Sequence, residues 1–152
     1  MLVYRIGKTK YARDITGEGA RINGGRWNHI GTPCCYSSES RALALLEYTV
    51  NVNIDDIPRA LSITTFDIPA RAIHTIKISE LPGDWKQDPA PASTCDFGTQ
   101  LLHTLKHLII RFPSVIIPNE WNYIINPLHA DRSLIKIVDT ADFVYDLRIK
   151  RK

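Results

Sequence analysis

The chain has 152 residues, 44% of them hydrophobic and 23% charged, ordinary values for a folded domain that exclude a disordered or fibrous chain. Nineteen Lys and Arg against sixteen Asp and Glu leave a formal charge of +3 without a basic stripe, so no direct DNA binding is expected. Three cysteines, Cys34, Cys35 and Cys95, are odd in number and lack CxxC spacing, which argues against a disulfide framework or a structural zinc site and fits a reducing cytoplasm.

No apolar run approaches the roughly 20 residues that span a bilayer, and Met1 to Arg5 lacks a signal-peptide core. The expectation is a single domain over 1–152, with no membrane contact. Part of the basic surplus, Arg148, Lys150, Arg151 and Lys152, reads as a solvated tail.

Leu2 to Ile6 reads as a strand. The stretch from Gly7 to Gly31, with further glycines at 17, 19, 24 and 25, reads as irregular. Cys34 to Ser37 suits a short strand, after which Ser38 can cap a helix with the stripe Ala42, Leu45, Leu46, Thr49 and Val50, and Glu47 beside it. Leu61 to Ile68 and Ile73 to Ile78, rich in β-branched residues, predict two strands paired as a hairpin or as neighbours. Between Leu81 and Ser93, the residues Pro82, Gly83, Pro89 and Pro91 predict a loop, and Trp85 predicts that it is packed.

Asp96 can cap a second helix with Leu101, Leu102, Leu105, Leu108, Ile109 and Phe112 on one face. Lys106, His107 and Arg111 would complement its dipole, and Pro113 would stop it. Ser114 to Ile117 then reads as a buried strand, with Leu134 to Val138 and Phe143 to Leu147 as two more. The sum is an α+β domain.

Gly24-Gly25-Arg26-Trp27-Asn28 sets a planar cation directly after two glycines, where backbone can approach a ligand and an Arg fork suits a diphosphate. Glu47 stands in an otherwise apolar helical run and needs solvent, a partner or a task. Tyr36, at the end of the preceding strand, can offer a ring or a hydroxyl to the same pocket, although a core role is the commoner one. Ser114 lacks a GxSxG context, so a nucleophile elbow is not expected. His103 and His107 stand four apart without the Glu of a metalloprotease helix, and read as a solvated face rather than a metal site.

Taken in order, Gly24 to Asn28, Gly31, Tyr36-Ser37, Ala42 to Glu47, Ile68-Pro69, Leu81-Pro82 with Trp85, Pro113-Ser114, Asn122 to His129 and Asp146-Leu147-Arg148 resemble the RES-domain pattern from about Tyr4 to Arg148. The Arg, Glu and Ser that name the family fall on Arg26, Glu47 and Ser114. The resemblance implies an ADP-ribosyltransferase-like fold, with a mixed, mainly antiparallel sheet and flanking helices. It also implies a bacterial toxin that degrades NAD+ by hydrolysis or phosphorolysis, or that ADP-ribosylates a specific cellular protein.

By that resemblance Arg26, Glu47 and Ser114 are the catalytic set, and Arg26, Trp27, Tyr36, Ser37, Asn122 and Asn126 hold NAD+. No cofactor or metal is implied; NAD+ is the substrate and phosphate a co-substrate where the reaction is phosphorolysis. The implied partner is an Xre-like helix-turn-helix antitoxin, with a homodimer allowed within the complex. Arginine-directed ADP-ribosyltransferases carry a second Glu two residues before the catalytic one, whereas Leu45 stands there in this chain, which disfavours transfer to protein arginine.

Overall fold

Alternation of inward and outward side chains gathers the strand-forming segments into one sheet. The computed structural model describes residues 1–150. In chain order the elements are β1 (Leu2–Lys8), α1 (Glu18–Asn23), β2 (Cys35–Ser38), α2 (Arg41–Val50), β3 (Leu61–Asp67), β4 (Ile73–Thr75), α3 (Ala92–His103), β5 (Ile109–Pro113), β6 (Trp121–Ile125) and β7 (Lys136–Phe143), with short 3-10 turns between them. The seven strands lie in the order β4-β5-β6-β2-β1-β3-β7. All neighbours are antiparallel except β4 and β5. This is the mixed, mainly antiparallel sheet with flanking helices that the sequence predicts.

Opposite faces of the sheet carry separate cores. Val3, Cys35, Phe66, Ile109, Tyr123 and Ile125 pack on one face. On the other, Ile110, Phe112 and Ile124 pack with Trp27 and Trp85 from the loops and with Leu102 of α3. Cys35 and Tyr36, consecutive in β2, pack against different clusters, as a strand requires. Burial pushes the Cys34 thiol well above its ordinary range and the Cys35 thiol to about 11, so neither is a ready nucleophile.

Several elements depart from expectation. The glycine-rich stretch holds a short helix, α1, bracketed by Gly17 and Gly24 at positive φ. The N-cap of α2 is Ser40, whose side chain accepts from the Leu43 amide, while Ser38 belongs to β2. Its buried residues are Leu43, Ala44 and Thr49, with Ala42 and Val50 exposed, so the stripe is rotated from the predicted one.

β3 and β4 are neither a hairpin nor neighbours, because β4 joins β5 towards the opposite edge of the sheet. The second helix starts before Asp96 and ends at His103, where Leu105 adopts a left-handed conformation with φ 54°. Leu108 to Phe112 therefore serves the sheet, and His103 and His107 share no helix. His103 instead meets the Thr32 hydroxyl, and His107 stacks on His74. Ser114 to Ile117 forms a turn rather than a strand. A single strand, β7, replaces the two predicted near the C-terminus.

Leu81 to Pro91 is the packed loop expected, with Trp85 buried, and α3 takes up Ala92 and Ser93. The basic end is less free than a solvated tail: Arg148 pairs with Asp146, and Lys150 donates to the carbonyls of Thr49 and Val52 at the end of α2. Arg151 and Lys152 lie outside the described residues.

Trp27 stacks on Phe112 with centroids 4.1 Å apart. Gly98 lets α3 approach the Trp27 backbone, since a Cβ there would lie 2.1 Å from the Trp27 carbonyl oxygen. Helix propensity alone would make Gly98→Ala stabilising by about 1 kcal/mol. A clash with backbone has no rotamer to relieve it and costs about 1–3 kcal/mol, occasionally more, which at 2.1 Å outweighs that gain. Urea unfolding of Gly98→Ala should show a lower midpoint than the parent; an equal or higher midpoint would contradict this packing.

Candidate active site

The site grows from β2. Residues Tyr36 and Ser38 point to the same side of the sheet, and their cross-strand partners on β6 are Ile124 and Asn122. Phe112 of β5 lies opposite Asn122 on its other side, which places Asn122 at the end of this face.

α2 brings Glu47 to the same place. Leu43 is fully buried, and Glu47, one helical turn later, shares its side of the helix. A carboxylate facing inward needs donors. Ser114, directly after β5, donates from Oγ to Glu47 Oε1 at 3.1 Å, and the Asn122 amide Nδ2 donates to the same oxygen. Oε2 has no protein partner among the described residues.

The Ser114 hydroxyl has its proton direction settled by its surroundings. Oγ accepts from the amides of Ile116 and Ile117, each at 3.1 Å, which occupy its lone pairs and leave its proton for Glu47. The turn itself closes through the Ser114 amide, which donates to the Glu120 carbonyl at 2.8 Å, and through Asn119 at φ 66°. Ser114 is buried, whereas Glu47 and Asn122 are half-buried, so the hydroxyl is sheltered and the carboxylate stays within reach of a ligand.

Arg26 reaches the same face through Tyr36. The tight turn Gly25 to Asn28 is pinned by the Tyr36 hydroxyl, which accepts from the Trp27 amide at 3.0 Å and donates to Asn28 Oδ1 at 2.7 Å. Gly25 is required there, because a Cβ would lie 2.6 Å from that hydroxyl oxygen. Burial holds the Tyr36 phenol well above its usual range, so the donor proton is retained. Tyr36 and Ser38 are two positions apart on one strand face, about 7 Å. The turn carrying Arg26 and the residues holding Glu47 thus share one short strand.

Arg26 donates through Nη1 to the carbonyls of Trp85 and Gln87, at 2.9 and 2.8 Å. Its other N–H groups have no protein partner among the described residues. One side of the guanidinium fixes the loop and the other remains for an anion.

Not every residue nominated from sequence joins this group. Trp27 is buried under Phe112 and serves the core. Ser37 is buried on the opposite face of the sheet and donates to the Tyr123 carbonyl. Asn126 is buried just past the end of β6, about 13 Å from Asn122. Its amide donates to the Leu102 carbonyl and its oxygen accepts from the Leu128 amide. These three are structural rather than ligand-facing. Ser38 was missed as a site residue: it is buried and donates to Asn122 Oδ1 at 2.6 Å. Only the strand register opposite Asn122 reveals it.

Among the described residues no group of three or more His, Cys, Asp or Glu side chains could hold a metal ion, and no helix is long and apolar enough to cross a membrane.

Known proteins resemble this chain in sequence or in fold. "Prs ADP-ribosylating toxin" of Sphingobium sp. (strain YBL2) is 35% identical over 148 residues, 95% of this chain and 92% of the relative. "Toxin Res" of Photorhabdus laumondii is 34% identical over 151 residues, 98% of this chain and 97% of the relative. A chain of the M. tuberculosis MbcT-MbcA toxin-antitoxin complex superposes with a TM-score of 0.73 at 18% identity, over 94% of this chain and 84% of that one, and so shares the fold. The model of the RES domain matches residues 2–146, and with relatives above 30% identity along nearly the whole chain, this chain belongs to the RES domain family.

Proposed function

We propose that this protein is the toxin of a toxin-antitoxin pair and that it destroys NAD+ by cleaving the nicotinamide–ribose bond. The observation that carries the reading is the Glu47 carboxylate, held through Oε1 by Ser114 and Asn122 with Oε2 left for substrate. As the glycosidic bond breaks, nicotinamide leaves with the electron pair and positive charge develops on the ribose. Glu47 stabilises that charge from a fixed position, and water or phosphate then bonds to the ribose carbon.

The free side of the Arg26 guanidinium takes the diphosphate, and the half-buried Tyr36 ring packs beside the nicotinamide. Asn122 and Ser114 act on Glu47 rather than on the reacting bond. No cofactor or metal is needed: NAD+ is the substrate and phosphate the second substrate where the reaction is phosphorolysis. The names borne by the Sphingobium and Photorhabdus relatives support a toxin. The partner is an Xre-like helix-turn-helix antitoxin that covers the cleft in the cytoplasm, in a complex that allows a toxin homodimer, and the toxin makes no DNA contact of its own.

A second reading keeps the same bond cleavage and changes the acceptor to a side chain of a cellular protein. It is favoured by the Sphingobium relative, which is named an ADP-ribosylating toxin. Leu45 occupies the place of the second Glu found in arginine-directed enzymes, so protein arginine is not the favoured acceptor.

Purified protein should consume NAD+, and the ribose product, analysed with and without phosphate, identifies the acceptor. Glu47→Ala should lower kcat by about 100-fold to 1000-fold with little change in KM, the scale of losing one preorganised electrostatic group. A Glu47→Ala kcat within about tenfold of the parent would sink the reading, and labelled protein without free ribose product would favour the second one.

Arg26→Lys tests the diphosphate contact. A point charge on a flexible stem cannot hold the Trp85 and Gln87 carbonyls and an anion in one plane. KM for NAD+ should rise about tenfold or more, read from initial rates, while Glu47→Ala leaves KM near the parent value. An unchanged KM in Arg26→Lys would remove Arg26 from the binding site.

A further inference from the structure

Two neutral donors converge on one oxygen of Glu47, and one of them is itself held by a residue that no role above uses. Ser38 is 3% exposed at the end of β2, opposite Asn122 in the strand register. Its Oγ donates to Asn122 Oδ1 at 2.6 Å, and Asn122 Nδ2 donates onward to Glu47 Oε1. An Asn amide has a donor end and an acceptor end of nearly equal shape, so its orientation is set by its neighbours. The carboxylate can only accept and takes the NH2 group. The amide oxygen then needs a donor, and Ser38 supplies it.

We propose that Ser38 is a positioning residue for the reaction proposed above: by fixing the Asn122 amide it commits Glu47 Oε1 to the protein and presents Oε2 to the ribose. The inference rests on that reading for its chemistry and on the hydrogen-bond geometry for its structure. Ser114 reaches Glu47 from the β5–β6 turn and Asn122 from the strand beside β2, so the two donors come from different directions. With both in place the carboxylate cannot exchange its two oxygens by rotation without breaking two bonds. Without Ser38 the Asn122 amide is free to turn, and its oxygen can face the carboxylate with like partial charge. Each donation also strengthens the next, because polarised hydrogen bonds in series reinforce one another.

Ser38 touches no substrate in this scheme, and its effect passes only through Asn122. That gives a signature a merely structural serine lacks. Ser38→Ala should lower kcat about tenfold with KM for NAD+ unchanged within about twofold, and Asn122→Ala should lower kcat further. The double variant Ser38→Ala, Asn122→Ala should be no slower than Asn122→Ala alone, because removing the amide leaves Ser38 nothing to orient. Ser38→Thr, which retains the hydroxyl, should recover most of the lost rate. Multiplying losses in the double variant, or a Ser38→Ala kcat equal to the parent, would overturn the proposal.

A parent protein that consumes no NAD+ would refute the proposed function instead, and the relay is then read directly. The side-chain NH2 resonances of Asn122, assigned by their loss in Asn122→Ala, should move in both Ser38→Ala and Glu47→Gln. Resonances that respond to Glu47→Gln but not to Ser38→Ala would overturn the role of Ser38.

Discussion

A carboxylate on the inward side of a helix is the constraint around which this molecule is arranged. α2 must bury Leu43 against the sheet, and Glu47 follows one turn later on the same side. Taking a carboxylate out of water without partners costs several kcal/mol. The protein answers with a hydroxyl and an amide rather than a cation, and no ion pair involves Glu47 among the described residues. That choice matters chemically. A Lys or Arg at Oε1 would satisfy the carboxylate and cancel the field it projects. Neutral dipoles hold the anion in place and leave its charge available to a developing cation.

The donors depend in turn on β2, only four residues long and placed between β6 and β1. Four register pairs tie it to β6, from Cys35 and Ile125 to Ser38 and Asn122, while one pair, Tyr4 with Ser38, ties it to β1. A slip of one residue would send Tyr36 and Ser38 into the opposite core and bring Cys35 and Ser37 to the site. Buried Cys35 among Val3, Phe66 and Tyr123 on the far face opposes that slip. Packing on one side of the sheet thus fixes polar geometry on the other.

What could be read from the sequence follows the strength of each local signal. β1 and β3 lie close to where the sequence puts them because β-branched residues concentrate there, and β2 because a short run between the glycine-rich stretch and a helix leaves few alternatives. The existence of α2 was legible, but five consecutive apolar residues from Ala42 to Leu46 make the phase of its buried side ambiguous. The end of α3 was hidden because its left-handed residue is Leu105, where a glycine would have announced the stop.

At the site, Arg26, Glu47 and Ser114 were nominated by motif, and the structure joins Glu47 to Ser114 directly. Trp27, Ser37 and Asn126 lie within the same family motifs, but strand alternation and burial turn them into the core or onto backbone carbonyls. Ser38 carried no signal of its own, since a serine before a helix looks first like a cap.

The cationic part of the site stands on different supports from the anionic part. Glu47 is held from α2, β6 and the β5–β6 turn, whereas Arg26 is held by the Tyr36 hydroxyl beneath its turn and by the carbonyls of Trp85 and Gln87. Those carbonyls fix the guanidinium plane without neutralising its charge. On the proposed reaction, a ligand gains the full benefit only if an anionic group and a glycosidic bond are spaced to meet both supports at once. A fragment bearing one of these would bind at one end without being drawn against Oε2 of Glu47. Under that proposal, binding energy gathered at Arg26 would be converted into orientation at the carboxylate, and the reacting bond of the whole substrate would be the one held where charge can be stabilised.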